Sequence, residues 1–137
     1  MMKKIAVVLS FLLSISVVPA YGATEPNKNA TFNACIDKSG GVTSDMLNCI
    51  SAEYGRVDKQ LNASYKRLMA VLSPDLKKRL QETQRLWLKY TEANCDFYMR
   101  QGDGTSATLN ASSCALEARS KRAAELAEIE ESEKTLR

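Results

Sequence analysis

The chain has 137 residues, no histidine, four cysteines, and 19 basic against 16 acidic side chains. The missing histidine excludes Ser-His-Asp and Cys-His catalysis. Lys3 and Lys4 at the extreme N-terminus supply part of the formal +3 charge; without them it falls to about +1, too small for a nucleic-acid-binding face.

Residues 1–22 read as a secretory signal peptide. Lys3 and Lys4 form its positive start, the segment from Ile5 to Val18 is apolar, and Pro19 ends it. Ala20-Tyr21-Gly22 then offers small residues for cleavage after Gly22. The apolar run is short for a membrane anchor, no cysteine follows it to carry a lipid, and no later stretch could span a bilayer. The expected location is periplasmic or secreted. Cys35, Cys49, Cys95 and Cys114 all lie in the exported part, and an even count in a small secreted chain reads as two disulfides. Without histidine or a C-x-x-C pair, a structural metal is disfavoured, and no cofactor motif is present.

Residues 23–43 read as an N-terminal arm, in which Phe32, Cys35 and Ile36 dock one short helical turn ended by Gly40-Gly41. Residues 44–131 form a helical domain. Its first long helix opens at Thr43-Ser44-Asp45, with Ser44 as N-cap. Leu47, Ile50, Tyr54, Val57, Leu61, Tyr65, Leu68 and Leu72 recur at steps of three and four, one continuous helical stripe. Ser73-Pro74-Asp75 stops this helix and starts the next, with serine as cap and proline at the first position. The second helix carries Leu76, Leu80, Thr83 or Gln84, Trp87, Tyr90, Asn94 and Tyr98, and Gly102 stops it. So short a connection implies an antiparallel hairpin. Gln101 to Leu109 reads as a loop. A third helix, capped by Asn110 or Ser112, runs to about Glu131 through Ala115, Leu116, Ala123, Leu126 and Ile129; residues 132–137 are a charged tail. The predicted fold is all-α, a small disulfide-stapled bundle built on the hairpin plus a third helix.

Folding the hairpin at Ser73-Pro74 sets Asn62 near Gln84, Leu61 near Trp87, and Asp58 near Lys89. An Asn62–Gln84 amide pair would pin the register, since buried polar groups need partners. Asp58 needs a cation, and Lys89 or Arg122 of the third helix can supply it; an Asp58–Arg122 pair would fasten that helix to the hairpin. Trp87, Tyr54, Tyr65 and Tyr90 read as core or core rim rather than as a sugar- or peptide-binding surface, whereas Tyr98 beside the loop fits either. Three disulfide pairings are possible. Cys35–Cys49 with Cys95–Cys114 staples the arm and closes the loop, and is preferred; Cys49–Cys95 with Cys35–Cys114 is the rival.

Cys49, Asp58-x-x-Leu61-Asn62-x-x-Tyr65, Gln84-Arg85-x-Trp87, Cys95, a Gly-containing loop, Cys114, Arg122 and Leu126 together resemble the LprI-type lysozyme-inhibitor family, from about Cys35 to Leu126. The resemblance implies an all-helical, disulfide-bonded envelope domain and favours the sequential disulfides. Three departures stand out. Thr91 and Arg119 replace the family's usual arginine and threonine, and the loop reads Gly102-Asp103-Gly104-Thr105-Ser106. A cation moved from the second helix to the third would compensate for the first two.

The function expected on this basis is an exported binding protein that blocks a lysozyme-type muramidase. Its protein partner would be met by the loop, through Asp103, Thr105 and Ser106. The alternative is a periplasmic structural or assembly protein. An enzyme is not expected: nothing places two of Glu53, Asp58, Asp96 and Asp103 around a pocket.

Overall fold

The computed structural model describes residues 30–136. They form four helices, α1 (Ala30–Lys38), α2 (Thr43–Val71), α3 (Pro74–Gln101) and α4 (Gly104–Thr135), with no strand among the described residues. The expected signal peptide and the first residues of the arm lie outside the described residues. Both disulfides are sequential, Cys35–Cys49 with Cα atoms 5.8 Å apart and Cys95–Cys114 with Cα atoms 5.6 Å apart. Each contributes on the order of 3 kcal/mol, chiefly by restricting the unfolded chain.

α1 is a full helix rather than a single turn. Phe32 and Ile36 pack on a cluster of Ile50, Val57 and Leu116, and the Cys35–Cys49 bond holds them there. The helix stops at Ser39, whose hydroxyl donates to the Ile36 carbonyl (2.6 Å). Gly40 (φ +55°) and Gly41 (φ +82°) then turn the chain through left-handed backbone, where a Cβ is unwelcome.

α2 begins one residue ahead of the expected cap. Val42 is its N-cap and offers no side-chain acceptor, while Ser44 lies inside the first turn. The stripe is as expected: Ile50, Val57, Leu61, Leu68 and Leu72 are buried, and Tyr54 and Tyr65 are half-buried at its edge. α3 starts as expected, with Pro74 in the first turn and the Ser73 hydroxyl accepting from the Leu76 N–H (3.4 Å). Gly102 caps its C-terminus in extended backbone. Its lack of a side chain matters for space, since a Cβ there would lie 3.3 Å from the Ala107 Cβ.

Two features differ from the sequence expectation. The first is the hairpin. α2 and α3 scarcely touch each other directly; α4 packs extensively along α2, and α3 docks on α4. Leu80 and Trp87 of α3 reach the cluster of Leu61, Leu68, Leu72, Ala123 and Leu126. α4 is therefore the central helix. Its alanines permit close approach, and it buries residues toward two neighbours, so its apolar positions do not fall on one stripe. The second is the start of α4. The segment expected as a loop is helical from Gly104, leaving a two-residue turn, and the helix continues to Thr135. Ala107 is buried, and Cys114 is bonded back to Cys95. These tertiary ties outweigh the turn-forming composition of Gly-Asp-Gly-Thr-Ser.

Candidate functional site

The distinctive motif residues sit on the scaffold, with altered partners. Leu61 is buried and Trp87 is half-buried in the same core cluster, as expected, and Tyr65 packs at its edge. Asn62 does not meet Gln84. It is exposed, and its amide donates within α2 to the Asp58 carbonyl (2.9 Å) and carboxylate (3.1 Å). The reason is the position of α4, which keeps the facing surfaces of α2 and α3 apart. Gln84 instead accepts from the Arg122 Nε (2.5 Å).

Asp58 does tie α4 to α2, but through Arg119 rather than Arg122 or Lys89. The Arg119 Nε donates to Asp58 Oδ1 (3.1 Å), and its guanidinium lies 4.4 Å from the Tyr54 ring centroid. Arg119 is one of the departures noted above, and it supplies the expected cation one turn earlier. Arg122 is buried, 6% exposed, and serves α3: beside Gln84 it holds Glu125 (2.6 Å) on its own helix. A buried guanidinium is tolerated only with such partners.

A further tie went unread in the sequence. Glu130 is buried and binds Arg67 of α2 (2.9 Å) and Lys134 (2.7 Å), while Arg67 also donates to the buried Ser64 hydroxyl (3.1 Å). The hydrogen bond from Lys134, joined by Arg67, holds the Glu130 carboxyl below its ordinary range against the opposing effect of burial. The signal was available: Glu130 follows Leu126 by one turn on the buried side of α4.

The α3–α4 turn forms an exposed tip. Asp103, Thr105 and Ser106 are all exposed there. Asp103 is the N-cap residue of α4 without a side-chain capping bond, and Ser106 donates to its carbonyl (2.9 Å). Phe97, Tyr98 and Met99 stand exposed one turn back on α3, with the first two rings edge to face at 5.7 Å. The Cys95–Cys114 bond braces the base of this tip. The tip thus presents short polar side chains beside the exposed Phe97, Tyr98 and Met99.

A groove of about 740 Å³ lies between α3 and α4. Trp87, Tyr90 and Tyr98 line it from α3, and Asn110, Ser113 and Glu117 are among the residues contributed by α4. Thr91 is 5% exposed at its base, and its hydroxyl has no hydrogen-bond partner among the described residues. The expected stripe put Tyr90 inward. In fact Tyr90 is 68% exposed, and the inward line runs Gln84, Trp87, Thr91, Cys95. No group of residues that could hold a metal ion occurs among the described residues, and none of their helices is long and apolar enough to cross a membrane.

Comparison with curated proteins and with solved structures found no match. The family described as "Lysozyme inhibitor LprI" matches residues 35–126, the span that contains both disulfides, the Asp58–Arg119 tie and the tip. The chain therefore belongs to the LprI lysozyme-inhibitor family.

Proposed function

We propose that the protein is exported and acts as a proteinaceous inhibitor of a lysozyme-type muramidase in the periplasm or outside the cell, without catalytic activity or cofactor. Family membership over residues 35–126 carries this reading. The two disulfides support a compartment outside the cytoplasm. The tip supports the mode of action. A muramidase cleft is built to take a polar chain between two carboxyl groups. Asp103, Thr105 and Ser106 would enter such a cleft as donors and acceptors, while Tyr98 and Met99 would cover its rim. The disulfide at the base keeps the tip ordered before binding, which lowers the entropic cost of association. With a net charge near neutral, attraction to a basic enzyme would be local to Asp103 and its surroundings. Purified, oxidised protein in micromolar excess should slow the clearing of a cell-wall suspension by a muramidase. Undiminished clearing by several lysozyme types would remove the proposal.

A second reading has one observation in its favour. Leu86 and Phe97 are more than half exposed along α3, and an assembly partner could cover them. Leu86→Glu with Phe97→Glu would abolish capture of such a partner from an envelope fraction while leaving muramidase inhibition through the tip intact.

A further inference from the structure

We infer that the α3–α4 groove is a binding site for a neutral oligosaccharide, distinct from Asp103, Thr105 and Ser106 at the tip and adjoining it at Tyr98. Its volume of about 740 Å³ falls within the ~300–1,000 Å³ typical of small-molecule sites. The chemistry of its lining decides the ligand class. Its charged groups are paired with one another: Lys121 binds Glu117 (2.6 Å), and Arg122 binds Glu125 (2.6 Å). An anionic ligand finds no unsatisfied cation there, and a cationic one no unsatisfied carboxylate.

What remains is neutral. The side chains of Gln101, Asn110 and Ser113 have no hydrogen-bond partner among the described residues. At the base, the Thr91 hydroxyl is buried and unpartnered. A buried hydroxyl in that condition lowers stability unless something bonds to it. That oxygen is closed off from the groove as well as from solvent, so the polar contacts to a ligand come from Gln101, Asn110 and Ser113.

The rings complete the pattern. Tyr90 and Tyr98 stand exposed at the groove's edge, and Trp87 is half-buried within it. A pyranose has one face of C–H groups and a periphery of hydroxyls. The C–H face suits the negative face of an aromatic ring, and the hydroxyls suit amides and alcohols. An extended peptide would want main-chain partners along its length, and a groove between two hydrogen-bonded helices presents none.

Trp87 is the only tryptophan, so its fluorescence reports the groove directly, with no enzyme present. The purified, oxidised protein is titrated with chitotetraose and maltotetraose, with tetra-alanine as the peptide control. The expected result is a saturable change in Trp87 emission with at least one sugar and none with the peptide. Tyr90→Ala, at an exposed ring, should weaken the sugar response at least tenfold with unchanged circular dichroism. Asn110→Ala, which removes an exposed amide from the lining, should weaken it severalfold without lowering the melting temperature. Three results would each overturn the inference: no response to either sugar up to millimolar concentration, a response to the peptide instead, or a sugar response that survives both substitutions.

Discussion

The Asp58–Arg119 tie is the sharpest test of how α4 is held. Arg119 makes two contacts, the ion pair at 3.1 Å and the approach to the Tyr54 ring at 4.4 Å. The ion pair is partly screened, with side-chain exposures of 18% for Arg119 and 41% for Asp58. A pair in that setting contributes about 0.5–1 kcal/mol, toward the upper end for exposed pairs. The cation–ring contact adds roughly 0.5–1 kcal/mol. Arg119→Ala should therefore cost about 1–2 kcal/mol and Asp58→Ala about half of that. The double mutant should recover a coupling of about 0.5–1 kcal/mol, read from urea denaturation of the four proteins. The parallel cycle between Asp58 and Arg122 should give no coupling beyond about 0.3–0.5 kcal/mol, because Arg122 is committed to Gln84 and Glu125. A larger coupling to Arg122 than to Arg119 would refute this placement of α4.

Other consequences follow from single positions. Gly55 lies exposed within α2, and a Cβ there would meet nothing within 4 Å, so Gly55→Ala should raise stability by about 1 kcal/mol in thermal melts. Leu126 is fully buried between α4 and α2, so Leu126→Ala should cost about 3–4 kcal/mol in denaturant titration. Glu130 has its carboxyl pKa lowered by Lys134 and Arg67, so its pairing stabilises the fold fully above the ordinary carboxylate range and is lost as pH falls through the depressed value. The melting-temperature gap between wild type and Glu130→Gln should thus be largest near neutrality and shrink toward about pH 3; a gap that widens in acid would contradict the assignment.

Much of the scaffold was legible because it rests on local chemistry. The α2 stripe follows helical spacing, and Ser73-Pro74 carries its own capping bond, so both could be read directly. The cysteines were readable as a count and the sequential pairing as the preferred of three, which the resemblance also favoured. What escaped was the role of α4. A helix packed on two sides has no single apolar face, so its sequence looks weakly amphipathic and peripheral when it is central. Asn62 and Gln84 were paired on the premise of a closed hairpin, and inserting α4 gave each a different partner. The tip residues read as a loop because glycine, aspartate, threonine and serine favour turns locally, whereas Ala107 and Cys114 fix a helix there through distant contacts. Thr91 lies on the inward line of α3, but its unpartnered hydroxyl depends on the shape of the groove and on no sequence pattern.

The central claim is that the tip inhibits a muramidase, and a cell-wall clearing assay with wild type and a tip variant tests it most directly. Asp103→Arg combined with Thr105→Ala and Ser106→Ala changes only exposed side chains, so the helical signal and melting temperature should hold. Wild type at micromolar excess should slow clearing, and the variant should lose at least about tenfold in potency, equivalent to ~1.4 kcal/mol of binding. Equal inhibition by both proteins would contradict the role of the tip, and no inhibition by wild type against any lysozyme type would contradict the function itself.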